Sequence, residues 1–462
     1  MSQNSEPRVE GSPVQGRPVD FSARAILSLA IPALGSLIIE PLLIMIDSIM
    51  VGHLGVTSLA GLSLSSTVLN TLVGVFVFLA YSTTAVTARL FGAGRRRDGL
   101  QAGVQALWLA FGLGLVLVLL LELTAPWLVQ LLGADPTVAP EATVYLRAGA
   151  PGMIGMLVIL AANGVLRGLL DTRTPLYVLA AGAAFNVALN ALLIYGLNLG
   201  LLGAGLGLSL AQTAMGLAMT WAVVRQARRE QVSLAPSRAG VLSSAGAGLP
   251  LLIRTISLRI ALLLTVTVAA QAGTVALAGH QVVSSVWSMA AFALDALAIA
   301  AQGLVGVALG RGRGSELSQL IRRLSWWGVG AAVVIGVVTA GLAPWLPWLF
   351  GPDPQMHEVA TAALRVAGLA MPIGGLVFIL DGVLIGASQG PYLARTGLIT
   401  LAVYLPTLLA LHLWISDRSP MDSAGQVEAL TWLWIAFAGW FMLARAVTNS
   451  WRAYRPSALL GK

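Results

Sequence analysis

The sequence contains no cysteine, which excludes disulfides, thiol catalysis and cysteine–metal sites. It is also short of charge. Asp, Glu, Lys and Arg make up 10% of its 462 residues, against roughly 25% in an ordinary soluble domain. So little charge cannot cover a water-facing surface, and a soluble enzyme or nucleic-acid binder is excluded. Residues 48–88, 174–224 and 260–294 carry no charged side chain at all. A membrane-spanning helix needs about 20 apolar residues, so each run holds more than one span, or one span and most of another. The runs are continuously apolar rather than alternating, which excludes an outer-membrane β-barrel. No His/Asp/Glu cluster has metal-ligand spacing, and no glycine-rich turn resembles a P-loop. GRGRG (310–314) reads as a basic inter-helix loop. ATP-driven transport within this chain is therefore excluded, and no cofactor is implied.

What remains is 57% hydrophobic, with a mean hydropathy of +0.85. The chain reads as an all-α polytopic membrane protein, with the lipid bilayer as its first partner. Twelve spans fit the apolar pattern, near 24–50, 58–88, 100–125, 142–166, 175–197, 202–224, 246–270, 276–308, 320–345, 358–386, 392–415 and 428–447. The polar tail 1–23 reads as disordered and lacks the arrangement of a cleavable signal peptide.

The net charge of +8 reports topology rather than nucleic acid. Alternate loops hold Arg89 and Arg95–Arg97, Arg167 and Arg173, Arg225, Arg228, Arg229 and Arg238, then Arg311, Arg313, Arg322 and Arg323, then Arg395. The tails add Arg8, Arg17, Arg24, Arg445, Arg452, Arg455 and Lys462, whereas the opposite loops hold only Arg147, Arg365 and Arg418. The positive-inside rule then places both termini in the cytoplasm of a cell whose inner membrane the protein spans.

The chain also repeats itself at an offset of 218 residues. APWLVQLLGADP (125–136) matches APWLPWLFGPDP (343–354) at 8 of 12 positions. Gly92, Gly94 and Arg95 align with Gly310, Gly312 and Arg313; Arg147 with Arg365; NGVLRG (163–168) with DGVLIG (381–386); and Pro32 with Pro250. The repeat holds six spans, an even number, so both copies enter the membrane the same way round. They form two six-helix bundles related by a pseudo-two-fold axis along the membrane normal. The boundaries expected are 24–224 for the first lobe, 225–245 for the linker, 246–447 for the second lobe and 448–462 for a cytoplasmic tail.

A charge at membrane depth is costly and marks a functional candidate. Span 1 carries Glu40 and Asp47, close to two turns apart on one face, with Pro41 between them. Span 5 carries Asn186 and Asn190 one turn apart. Asp295 lies in span 8, and Asp381 in span 10 replaces its repeat mate Asn163 of span 4. Asn163, Gln281, Gln302 and Arg259 join Asp295 and Asp381 as candidate lining of a cavity between the lobes. Arg254 is expected to snorkel to the interface, and the deeper Arg259 to face water or a carboxylate. Trp287 and Trp440 are aromatic candidates for the cavity wall.

These residues together resemble one family. EPLLIMIDSIMVGHLG (40–55), LRGLLDTRTP (166–175) and FNVALNALLIYGLNLGLLGAGLG (185–207) resemble the first helix, the loop between helices 4 and 5, and the fifth helix of multidrug and toxic compound extrusion (MATE) transporters. Residues 278–310 and 378–387 resemble its DinF-type branch. The resemblance covers nearly the whole chain from residue 24 to about 450. It implies a V-shaped pair of bundles, a sufficient monomer, and an antiporter that exports small amphipathic and often cationic compounds. Asp47 matches the family's helix-1 acid and Asn186 its helix-5 Asn. Asn190 stands where many prokaryotic members carry Asp, which leaves the ion-coupling group one carboxylate short unless Glu40 compensates. Some members bind sodium through a carboxylate in helix 7. The chain has none over 248–270, so proton coupling is expected, with sodium at Asp47 and Asn186 as the alternative. A lipid-linked precursor flippase of the same superfamily would need a strongly basic cavity, whereas the charge buried within the spans reads as mostly acidic. A membrane-embedded enzyme would need a nucleophile–base or metal constellation that the sequence does not show.

Overall fold

The computed structural model describes residues 22–132, 134–312, 314–418, 420–455 and 459. The tail through residue 21, Arg313 and Lys462 lie outside the described residues. Within them the charge-poor runs fold into α1 (Ala23–Gly52), α2 (Val56–Phe76), α3 (Phe78–Gly92), α4 (Arg96–Leu131), α5 (Ala139–Gly149), α6 (Gly152–Gly168), α7 (Arg173–Asn190) and α8 (Gly200–Arg229). The second half supplies α9 (Arg238–Ala272), α10 (Thr274–Gly310), α11 (Gly314–Leu342), α12 (Pro354–Gly386), α13 (Gly390–Ser416), α14 (Ser423–Trp434) and α15 (Met442–Ala453). Among the described residues, 11 helical segments are long and apolar enough to cross a bilayer, and the pair α5–α6, bent by 50°, makes a twelfth. The bend falls at Ala150–Pro151, where the proline ring interrupts the helical ladder. The twelve spans form two six-helix bundles.

Helices run further than their apolar cores. The extended connection between the bundles covers only 230–237, and the last helix continues to Ala453. Arg225, Arg228 and Arg229 are favourable in the last turns of α8, where the helix dipole attracts cations, and they carry it into water. Two spans contain π-helical turns, at Ala191–Gly196 after α7 and Ile435–Phe441 between α14 and α15. Such turns often mark functional sites, and both border the groups described below.

The repeat is visible in the backbone itself. Gly55 and Gly273, repeat mates, have φ of 129° and 133°, and Leu170 and Ser388, also mates, have φ of 61° and 58°. Each bundle is built round its fourth span. Gly164 of α6 lets α3 approach, since a Cβ there would lie 2.6 Å from the Ala80 carbonyl oxygen. Its mate Gly382 of α12 does the same for α10, with 2.4 Å to the Ala298 oxygen. Small residues at such crossings are how membrane helices gain van der Waals contact.

The bundles meet at the end that carries the Arg-rich turns. There α3 and α10 cross through the mates Gly92 and Gly310, about the pseudo-two-fold axis. A Cβ on Gly92 would lie 2.2 Å from the Val307 oxygen, and one on Gly310 would lie 2.0 Å from the Arg89 oxygen. Gln302 of α10 donates to the Tyr81 carbonyl (2.9 Å) across the same contact. The connection is strapped to α4: Gln105 donates to Ala235 O (3.0 Å) and accepts from Ser237 N (2.8 Å), and Trp108 donates to Leu234 O (2.9 Å). One apolar core unites α1–α8 with the Arg-rich ends of the second bundle, including Leu304, Leu320 and Leu384. A second core draws only on the second bundle, from Ala261 to Ala446, and a small third one joins Ala33 of α1 to Ala296 and Ile299 of α10. The bundles thus diverge away from the Arg-rich end and leave a cavity between them.

Candidate substrate cavity and coupling site

Asp47 and the pair Asn186 and Asn190 converge inside the first bundle. Helical spacing puts Asn186 and Asn190 on one face of α7, turned toward α1. All three side chains are buried. Asn190 Nδ2 donates to Asp47 Oδ1 (2.8 Å) and to Asn186 Oδ1 (3.3 Å). Its own Oδ1 is buried without a hydrogen-bond partner. That oxygen fits against α8 only because residue 207 is Gly: a Cβ there would lie 1.9 Å from it. Glu40, Asp47 and Asn186 line a small cavity of about 50 Å³ with Asn70, Tyr145 and Gln212.

The second bundle makes the equivalent contact with neutral groups. Thr265, the repeat mate of Asp47, bonds to Tyr404, the mate of Asn186 (2.9 Å). The asymmetry gives the first bundle the one acid at this two-helix contact.

Between the bundles lie two adjoining compartments of about 370 and 430 Å³. Gly74, Val77, Tyr81, Arg259, Phe292 and Asp295 belong to both, so they form one continuous space. Each compartment falls within the roughly 300–1,000 Å³ of small-molecule sites. Trp287, Phe292, Phe437 and Phe441 give the space an aromatic wall.

Asp381 lines this space but is already paired. Arg254 Nη2 and Arg445 Nη2 both donate to its Oδ2, and Asn449 Nδ2 donates to Oδ1 (2.8 Å). The carboxylate and both guanidiniums are nearly buried, at 9% and 11% exposed. Arg254 therefore does not snorkel as expected: the carboxylate holds it inside the bundle. Removing one partner from a buried ion cluster costs about 3–5 kcal/mol, because the remaining charges lose their compensation. Asp381→Ala is accordingly expected to lower the thermal unfolding temperature of the purified protein markedly, whereas Asp295→Asn leaves it near wild type. Equal unfolding temperatures for Asp381→Ala and wild type would contradict this reading.

The other candidates divide. Asn163, Gln302, Arg259 and Asp295 reach the cavity. Gln281 does not: it is exposed near the start of α10, away from the lining residues. Trp440 is 48% exposed and is not part of the wall, although Trp287 is. The mostly acidic charge read from the sequence is corrected, because Arg167 and Arg445 also face the cavity with Arg254 and Arg259, against Glu40, Asp295 and Asp381. The sequence assigned Arg167 and Arg445 to a loop and a tail. A signal was present in α15, where Arg445, Asn449 and Arg452 recur on one helical face.

The geometry is that of a carrier, with two repeated bundles, one end closed and a central cavity. The MatE family model matches the chain twice, over residues 32–192 and 250–416. Its two matches begin at the repeat mates Pro32 and Pro250. The chain therefore belongs to the MATE family of multidrug and toxic compound efflux transporters; it is a multi-pass membrane transporter and not an enzyme. Over 442 residues it is 28% identical to Protein DETOXIFICATION 44, chloroplastic, of Arabidopsis thaliana, covering 92% of this chain and 81% of that protein. It is 26% identical to DNA damage-inducible protein F of Escherichia coli, over 86% of this chain and 88% of that one. Its fold superposes on the Vibrio cholerae MATE transporter VcmN in the bent form with a TM-score of 0.82, at 21% identity, over 95% and 97% of the two chains.

Proposed function

We propose that this transporter is a proton-coupled efflux antiporter of the cytoplasmic membrane, with Asp47 as the group that loads and releases the proton. The Arg-rich end faces the cytoplasm, residues 24–224 and 246–447 move as lobes, and the state described is the one open to the outside. The observation that carries the reading is the buried Asp47–Asn190 hydrogen bond beside the unpartnered Asn190 Oδ1. When ionised, Asp47 accepts from Asn190, a charge-assisted bond. When protonated it becomes a donor, and the free amide oxygen is the acceptor nearest in kind. Protonation thus reverses the polarity of the α1–α7 contact and favours a different packing of the first lobe.

Sodium is the weaker alternative. Asn186 Oδ1 already accepts from Asn190, and α9 offers no carboxylate. The cationic-substrate expectation came from the family resemblance; the mixed charge of the cavity gives it no support, and it is not carried forward. A precursor flippase would need a predominantly basic cavity, and here three carboxylates share the space with four guanidiniums.

The test uses purified protein in sodium-free proteoliposomes under an imposed pH gradient. Two dyes on one xanthene scaffold serve as probes: sulforhodamine B, which carries sulfonates, and rhodamine 6G, a cation. Transport of either dye by the pH gradient alone is expected. Transport that appears only under a sodium gradient would replace the coupling ion, and none under either gradient would end the antiporter reading.

A further inference from the structure

We propose that the central cavity recognises an anionic group on its substrate through Arg259, with Arg167 behind it, so that organic anions and zwitterions are preferred to simple cations. This names the substrate class of the efflux reading and rests on it.

Arg259 has neither an ion pair nor a side-chain hydrogen bond among the described residues. Its guanidinium crosses the cleft from α9 to the α2 backbone, where a Cβ on Gly74 would lie 2.1 Å from Nη2. Glycine at 74 is thus what lets the group lie there, in the wall common to both compartments. Arg167 is 9% exposed, lines the compartment on the first bundle's side, and likewise has no side-chain hydrogen bond or ion pair among the described residues. A buried guanidinium without a partner is costly, and Arg167 is such a group, whereas Arg259 is exposed within the cleft, open to a substrate.

The acids do not neutralise them. Asp381 is taken by Arg254 and Arg445, and that cluster keeps one excess positive charge. Asp295, in the common wall, feels Arg167 and Arg254 but accepts no hydrogen bond from a described side chain. With Glu40 counted as ionised, four guanidiniums still face three carboxylates. A plain cation entering this space meets net repulsion. A carboxylate or sulfonate meets planar forks of donors suited to bidentate contact. The aromatic wall takes the substrate's rings, and Asp295 takes the cationic end of a zwitterion.

Equilibrium binding of the two dyes to the full chain in detergent, followed by fluorescence anisotropy without any gradient, tests this. Wild type is expected to bind sulforhodamine B more tightly than rhodamine 6G. Arg259→Gln should weaken sulforhodamine B by about tenfold or more, equivalent to losing one charge-assisted contact, and leave rhodamine 6G unchanged or tighter. Arg259→Lys should fall between the two, and Arg167→Gln, a second site, should act in the same direction. Preference for rhodamine 6G, sulforhodamine B affinity unmoved by both neutral variants, or no binding of either dye would overturn the proposal. Because no gradient is applied, failure here leaves proton coupling standing, and failure of coupling leaves anion recognition standing.

Discussion

Asp47→Asn is expected to reduce gradient-driven export to the level of protein-free liposomes while the protein stays folded and monodisperse. The two side chains have nearly the same shape. The new amide oxygen can still accept from Asn190 Nδ2 at the position where Asp47 Oδ1 lies 2.8 Å away, so the α1–α7 contact survives. What disappears is the ability to exist in two protonation states, and no other acid sits at this contact. Glu40 shares the small cavity but has no link to Asn190, so it cannot substitute. The pairing Thr265–Tyr404 in the second lobe has no titratable carboxyl, so the loss should be complete rather than partial. Export measured at the wild-type rate in reconstituted Asp47→Asn would remove Asp47 from the coupling role.

Gly310→Val is expected to force the closed end apart. A Cβ at 310 would lie 2.0 Å from the Arg89 carbonyl oxygen and 2.7 Å from the Ala93 amide nitrogen. Both neighbours are backbone, so no rotamer change relieves the clash, and α3 and α10 must separate. The crossing is shared by both lobes about the pseudo-axis, which makes it a lever on the whole closure rather than on one helix. The natural absence of cysteine makes the consequence easy to read. Ser244 lines a cavity of about 260 Å³ between α3, α4 and α9 just inside the closed end. Ser244→Cys should react with a soluble maleimide at least about tenfold faster in the Gly310→Val background, as expected when a minor open state becomes the major one. An unchanged rate would mean that the Gly92–Gly310 crossing does not hold the lobes shut.

The sequence shows its spans and its repeat because apolar runs and the fixed offset are properties of the linear chain. Asp47, Asn186 and Asn190 are legible for the same reason: helical spacing puts the two asparagines on one face, and a carboxylate in an otherwise apolar span stands out. The cavity's polarity is not legible. Arg167 and Arg445 fall among topology-setting arginines when counted by position. Their inward aim depends on how α6 packs against α3 and on the π turn at Ile435–Phe441, neither of which leaves a mark in hydropathy. Arg254 is misread for a related reason. Its carboxylate partner lies 127 residues away, and pairing across helices cannot be deduced from spacing along one. Gln281 fails in the opposite sense, since a polar residue in an apolar span can simply lie at the exposed end of the helix.

The most direct measurement is a pH series of electron–electron distances in liposomes, with spin labels at Val56→Cys and Thr274→Cys. These repeat mates are exposed on the ends of the two bundles away from the closure. Acidification is expected to shift the distance distribution in the otherwise wild-type protein and to leave it fixed when Asp47→Asn is added. A shift of the same size in the Asp47→Asn protein, or no shift without it, would contradict a proton at Asp47 as the driver of alternating access.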